Sequence, residues 1–451
     1  MRKCTAHWWG PRTSNPMWGA KTVPGGFDSH ALPPLFNMHS EEQIITFIIL
    51  TTLIGSYLIS GLADLLNIRS LNKPLPDGFN DFYDSKKYAE SQNYLKATTQ
   101  FGFITSSLNL TLLLLFWFSG GFQYIDGFVR TFHLHSILSG IVYIGILLCV
   151  KLLIALPFNI YSTFVIEEKF GFNKTTPRLF IMDLLKSIIV SAVLGGILLS
   201  LILGFLEFSG RYAWILCWIA GIVFLLVVQY IVPVFILPLF NTFSPLENGL
   251  LKEAITTYAG SINFSISNIF VMNSSKRSSK SNAFFTGFGK TKRIVLFDTL
   301  IKEQTKEELV AILAHEMGHF KKKHIIKRMA LGIIQMGFIF YLLSITISHD
   351  GLFHAFFMEE NSIYAGLVFF GMLYSPIDLF ISIFLQISSR RDEYEADRFA
   401  KETLHDGGPL ISALKKLSVH NLSNLTPHPF YVFLNYSHPP LCERVDALKS
   451  N

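Results

Sequence analysis

Charge is scarce in this chain. Asp, Glu, Lys and Arg make up 16% of its 451 residues, against about 25% in soluble domains, which excludes an ordinary soluble enzyme. Cysteine is scarcer still. Cys4, Cys149, Cys217 and Cys442 are scattered and make neither a disulfide framework nor a CxxC metal site. There is no arginine-rich arm and no compact nucleic-acid module, so nucleic acid is not an expected partner. The first forty residues have no apolar core and are not expected to act as a cleavable signal peptide. Rich in Trp, Pro and Gly, they read as an N-terminal arm, residues 1–40. What the chain has in abundance is apolar surface: 50% hydrophobic residues and 42 Phe, with a mean hydropathy of +0.40. That balance points to a polytopic protein in a lipid bilayer.

Seven apolar stretches are long enough, near twenty residues, to cross a membrane. They are expected at about Ile44–Leu66, Phe101–Phe122, Ile137–Leu156, Ile188–Phe208, Ala213–Phe235, Met329–Ile347 and Tyr364–Ile387. The loops between them alternate in charge. One side receives Arg69, Lys73, Lys86, Lys87 and Lys96, then Lys169, Lys174 and Arg178, then the basic stretch 252–328 and the tail after Arg390. The other side receives Arg130 and Arg211. Positive residues mark the cytoplasmic face, so the N-terminus is expected in the lumen and the C-terminus in the cytosol. Two spans return the chain to the side it left, so the region before span six and the tail after span seven can build one site.

Those two regions carry the chemistry. His315-Glu316-Met317-Gly318-His319 is an HExxH run. On a helix the two histidines share one face and can reach one zinc ion, with Glu316 beside the open position as general base toward water. Thr305 to Glu308 reads as a capping box, and Leu309, Ile312 and Leu313 follow at helical spacing. Lys322 and Ile325 stand where a metzincin needs Gly and His, which excludes that class. In the tail, Glu393 and Asp397 are four apart. Glu393 can complete a His₂Glu site with the fourth position open, and Asp397 can accept a hydrogen bond from a ligand histidine. The bland alternative is an exposed charged helix paired with Arg391 and Arg398. Glu395 is the competing ligand. His324, off the ligand face, reads as structural or as support for a ligand.

Several separated motifs then resemble one family, the Ste24-type (type I) CAAX prenyl proteases. They are residues 156–158 with 163–173; Ser278 to Phe285; Lys292 to Leu300; the HEMGH run; Ser389 to Asp397; and Ser437-His438-Pro439-Pro440 with Glu443-Arg444. The resemblance implies a mainly α fold. Seven transmembrane helices form a barrel around a water-filled chamber, capped by a cytosolic gluzincin-like zinc peptidase domain with a small β-sheet. It implies one Zn2+ held by His315, His319 and Glu393, Glu316 as catalytic base, and His438 and Arg444 in the site, His438 as donor to the oxyanion. Asn282 and Ala283, with Phe284 beside them, would lie on a strand edge that holds the substrate backbone. The strand signal around Ile294 and Leu296 agrees, because an exposed edge can bind an extended peptide. The implied activity is removal of the last three residues from prenylated CAAX proteins, with an upstream cut in some precursors, at the endoplasmic reticulum or inner nuclear membrane.

The expected organisation is an arm (1–40), helices one to five (41–240), a peptidase region with the HExxH helix (241–325), helices six and seven (326–388) and a ligand helix with the C-terminal cytosolic region (389–451). An HtpX-like quality-control protease would share the zinc motifs but have fewer spans and lack the 163–173 motif. A seven-helix receptor or transporter with structural zinc would not need the acid–base set.

Overall fold

The structure, a computed structural model, describes residues 41–266, 268–286 and 293–450. The arm expected over residues 1–40 and the Lys292 of one motif lie outside them. In chain order the first helices are α1 (Glu41–Arg69), α2 (Ser85–Phe118), α3 (Gly121–Arg130), α4 (Ser136–Tyr161), α5 (Pro177–Phe208), α6 (Ala213–Ile231) and α7 (Leu237–Phe240). Then come β1 (Phe243–Pro245), α8 (Leu250–Ser261), β2 (Asn268–Met272), β3 (Ala283–Thr286) and β4 (Arg293–Phe297). The chain ends with α9 (Asp298–Glu303), α10 (Lys306–Lys321), α11 (His324–Thr346), α12 (Asp350–His354), α13 (Ile363–Leu404), α14 (Gly408–His420), α15 (Pro429–Asn435) and α16 (Leu441–Lys449). π-helical turns extend α4 to Glu167 and join α6 to α7.

Seven of these helices are long and apolar enough to cross a membrane, each containing or overlapping an expected span. The second span is displaced. Gly120, at φ +72°, breaks the chain after Phe118, so Phe122 belongs to α3. At its other end α2 begins at Ser85, where the Asp84 side chain caps the Lys87 amide at 2.6 Å. Hydropathy does not register that polar first half.

The connections sort into two ends. At one, the Trp117 indole donates to the Ala355 carbonyl (2.8 Å), Arg130 pairs with Glu360 (2.6 Å), and Ser136 donates to Glu207 (2.9 Å). Phe356 and Phe369 stack there at 3.9 Å. At the other, Ser70 donates to the Thr426 carbonyl (2.7 Å), Lys280 to Glu167 (2.8 Å), and the Ser281 amide to Asn421 (3.1 Å). Phe79 and Tyr83, from the first basic loop, enter the same apolar core as Ile255, Leu296, Leu313, Leu414 and Val445. The loops that the charge alternation put on one side therefore meet at one end.

α13 joins the two parts. Its 42 residues span about 63 Å at 1.5 Å per residue, twice the roughly 30 Å hydrocarbon core. Its C-terminal part must project out of the bilayer, and that part carries Glu393 and Asp397. The seventh span and the ligand segment are thus one rigid element across residue 388, and α11 likewise runs through residue 325.

The sheet order is β1-β2-β4-β3, with β2–β4 parallel and the other two pairs antiparallel. Ile294 and Leu296 are in a strand, as expected, but that strand is β4, buried between β2 and β3. The edge belongs to β3, paired through Ala283–Leu296 and Phe285–Ile294. Among the described residues no strand lies on its other side.

Candidate active site

The site starts from a capped helix. Thr305 Oγ1 accepts from the Glu308 amide (3.3 Å) while Glu308 accepts from the Thr305 amide (2.8 Å), which closes the capping box. Ser412 and Lys416 also bind the Glu308 carboxylate, at 2.6 and 2.8 Å, and so lock α10 to α14. Leu309, Ile312 and Leu313 are buried, and this orientation turns His315 and His319 toward α13. The close approach of α13 depends on Gly318. A Cβ there would lie 3.2 Å from the Ala396 Cα and 3.3 Å from its carbonyl oxygen.

His315, His319 and Glu393 converge. The two Nε2 atoms are 3.1 Å apart, and they lie 3.3 and 3.4 Å from the Glu393 carboxylate oxygens. One ligand atom from each residue falls within 4.8 Å of the others. Glu393 Oε2 is buried without a hydrogen-bond partner. A buried carboxylate between two imidazole nitrogens fits a metal far better than it fits empty space.

The outer face of each imidazole is also held. His315 Nδ1 lies 2.8 Å from Asp397 Oδ1. Arg444 grips Asp397 through two bonds of 2.8 and 2.6 Å, and both are buried. His319 Nδ1 lies 3.0 Å from His324 Nδ1, and His324 Nε2 lies 3.2 Å from Glu395. Contacts on both Nδ1 atoms leave both Nε2 lone pairs pointing at the same point, the arrangement a metal-binding histidine pair requires. Lys323 at φ +60° ends α10 and restarts the chain as α11, which swings His324 back onto His319.

Around this centre, desolvation lifts the Glu316 carboxyl above its ordinary range against the opposing pull of His315 and His319. His438 Nε2 lies 3.2 Å from Glu393 Oε1. Desolvation holds the His438 imidazole below its usual value, so it is neutral near pH 7. Ser437 Oγ lies 3.1 Å from His438 Nδ1. A hydroxyl donating there leaves the proton on Nε2, the atom that faces the site.

Two family descriptions divide the chain. "CAAX prenyl protease N-terminal, five membrane helices" matches residues 64–242, and "Peptidase family M48" matches residues 245–451. CAAX prenyl protease 1 of Saccharomyces cerevisiae is 36% identical, over 83% of this chain and 88% of its own length. The chain belongs to the CAAX prenyl protease 1 family. The Homo sapiens CAAX prenyl protease 1 homolog is 34% identical over 83% of this chain and 89% of its own. The crystal structure of S. mikatae Ste24p superposes with a TM-score of 0.82 at 35% identity, covering 90% of this chain and 99% of that one.

As a CAAX prenyl protease 1 family member, the chain is a multi-pass membrane metalloprotease, and the family implies a metal. The five-helix N-terminal match also sets aside the shorter quality-control protease and the receptor. The structure brings His315, Glu316, His319, Glu393, Asp397, His438 and Arg444 together. Arg444 is engaged by Asp397, with its remaining nitrogen 3.9 Å from Glu393. Glu395, the competing ligand, is 56% exposed and turned to His324. Asn282 lies just before β3; its carbonyl accepts from the Phe297 amide (3.1 Å), and its side chain accepts from the Ala283 amide (2.9 Å). Ala283 and Phe284 open β3.

Sequence reasoning missed Lys327 and Arg328, which reach buried Asp392 at 2.6 and 3.6 Å. Their signal was a basic pair one turn beyond His324, opposite the acidic Asp392-Glu393 pair. Lys280, within the motif from Ser278 to Phe285, is not expected to act directly, and its Nζ is shared by Glu167 and Tyr94 at 2.8 Å each. That knot fixes the residue two before Asn282 to the end of α4 and to α2.

Proposed function

We propose that this chain is an integral-membrane zinc endopeptidase that removes the last three residues from proteins ending in a prenylated CAAX sequence, and cuts some precursors upstream. The observation that carries the proposal is the convergence of His315, His319 and Glu393 with Glu316 beside them. One zinc per chain suits a His₂Glu set with an open fourth position. Bound there, zinc would supply Lewis acidity and make water more acidic.

The chain's own residues do the rest. Glu316, with its raised affinity for a proton, takes one from the attacking water and passes it to the leaving amide nitrogen. His438 Nε2–H donates to the oxygen that gains charge as the carbonyl becomes tetrahedral. Asp397 and Arg444 hold the His315 ring, and His324 holds the His319 ring. The open edge of β3, entered through Asn282, Ala283 and Phe284, holds the substrate backbone as an added strand.

The lipid goes to the membrane helices. Only 6% of the most apolar stretch of α5 and 11% of the most apolar stretch between Gly210 and Phe240 is buried. A helix in a solid bundle buries a stripe at least 100° wide. Helices this bare leave apolar faces uncovered, and in this reading one such face lines the chamber that takes the lipid. An isoprenoid buried in that chamber would contribute about 0.8 kcal/mol per carbon. The charge asymmetry supports a cytosolic catalytic end and a lumenal N-terminus; the endoplasmic reticulum membrane follows from the family resemblance alone.

The test is purified full-length protein assayed for zinc content and for turnover of farnesylated and unmodified peptides. The prenylated peptide is expected to be cut at the CAAX site, and Glu316→Gln is expected to keep the metal while losing about 10²–10⁴-fold in rate. Metal-loaded protein that ignores prenylated peptides would overturn the substrate assignment. Near wild-type turnover by Glu316→Gln would remove Glu316 as base.

A further inference from the structure

A second polar surface lies away from the metal-ligand set, on the same end of the molecule. Lys86, Glu90, Asn93, Lys96 and Gln100 are three or four residues apart on α2 and share one face. With Lys169 and Phe170, beyond the end of α4, they line an open cleft of about 1000 Å³. The cleft holds four lysines, Lys87 included, against two carboxylates. Glu90 is tied to Lys87 at 2.8 Å. Lys86, Lys96 and Lys169 are exposed, and among the described residues no carboxylate pairs with any of them. Their neighbour Lys280 is not part of this surface, because Glu167 and Tyr94 hold it.

The depth of the cleft selects the ligand. The residue after Gln100 is Phe101, where the apolar part of α2 begins, and its ring stacks on Tyr161 at 5.0 Å. Tyr161 is about half exposed. Exposed aromatic rings at the ends of spans mark the headgroup level of a bilayer. Lys96, one turn above Phe101, and Lys169 on the facing wall therefore stand where phosphates of the leaflet lie. Asn93 and Gln100, on either side of Lys96 along α2, add amide donors to the cleft lining. Basic pockets between transmembrane helices at this depth take anionic headgroups. Unpaired like charges facing one cleft repel one another, and a bound phosphate relieves that repulsion.

We propose that this cleft binds the phosphate-bearing headgroup of an anionic phospholipid, with Lys96 and Lys169 as the main contacts and Lys86 at the outer rim. The proposal goes beyond the peptidase reading and is tested without activity. Full-length protein in neutral detergent is exposed to equimolar phosphatidylserine and phosphatidylcholine, and retained lipid is read by native mass spectrometry. Wild type is expected to retain phosphatidylserine preferentially. A lysine near an anionic lipid contributes about fivefold, so Lys96→Gln with Lys169→Gln should lower that affinity about 25-fold. Lys169→Gln alone should lower it about fivefold. Lys302→Gln with Lys306→Gln, equal in charge and remote in sequence, should leave it unchanged. Equal retention by wild type and the Lys96/Lys169 variant would overturn the site. Displacement of the lipid by millimolar inorganic phosphate, or by a tripeptide through its carboxylate, would overturn the lipid as its occupant.

Discussion

Gly318 offers the sharpest test of how the metal site is held, because it has no side chain to offer the metal. Gly318→Ala should help α10 on propensity alone, by about 0.8–1.0 kcal/mol. The structure opposes this. The new Cβ would lie 3.1 Å from Phe399 Cδ1, 3.2 Å from Ala396 Cα and 3.3 Å from the Ala396 oxygen. Carbon atoms pack at about 3.5–4.0 Å, so α10 and α13 must separate by a few tenths of an ångström. Phe399 can rotate, but the Ala396 backbone cannot. Overpacking of this kind costs about 1–3 kcal/mol, which outweighs the propensity gain. The geometric effect is larger. α10 carries His315 and His319 and α13 carries Glu393, one turn from the clash, while metal–ligand distances tolerate about 0.2 Å. The expected result is a loss of metal affinity of about 10–100-fold, the range seen when a ligand's support is disturbed. The assay is dialysis of full-length protein against graded chelator, with metal read by mass spectrometry. Gly332→Ala in α11, where nothing lies within 4 Å, should retain the metal as wild type does. Gly318→Ala that holds its metal as tightly as wild type would refute the close-approach argument.

Arg444→Met leaves the Asp397 carboxylate buried beside His315 alone. Losing one partner of a buried pair costs about 3–5 kcal/mol, and adding Asp397→Leu should restore part of it; strictly additive shifts in thermal midpoint would show that the pair is not coupled. His324→Phe should weaken metal binding about 10–100-fold by freeing the His319 ring, whereas Glu395→Gln, at an exposed position, should do much less; chelator competition that cannot tell His324→Phe from wild type would sink this support. Burial pushes the Glu308 carboxyl up, but Lys416, Ser412 and the Thr305 amide outweigh it and hold it below its usual value. Its stabilisation is therefore complete above the unfolded pKa of about 4.3 and is lost as pH falls through the lower folded value. Glu308→Gln should flatten the acid limb of the midpoint–pH curve, and an unchanged limb would count against this contribution.

The features legible in the sequence were those with a local period or a long apolar run. HExxH puts two histidines on one face because a helix has 3.6 residues per turn, whatever surrounds it. The seven spans and the sorting of their loops follow from apolar length and lysine placement. Glu393 could be joined to His315 because two spans return the chain to the same side. Packing alone decided what each polar group touches. Asp397 was identified as a histidine partner, but its bond to Arg444 needed α16 folded against α13. Helical spacing puts His324 off the ligand face, and only the left-handed Lys323 between α10 and α11 lays it on His319. The β signal at Ile294 and Leu296 was correct, yet only pairing showed that β4 is interior and β3 is the edge. Helical period and hydropathy are properties of neighbouring residues, so the chain states them directly. Partner choice among distant polar groups depends on which backbones approach within a few ångströms, and that is decided only when the helices pack.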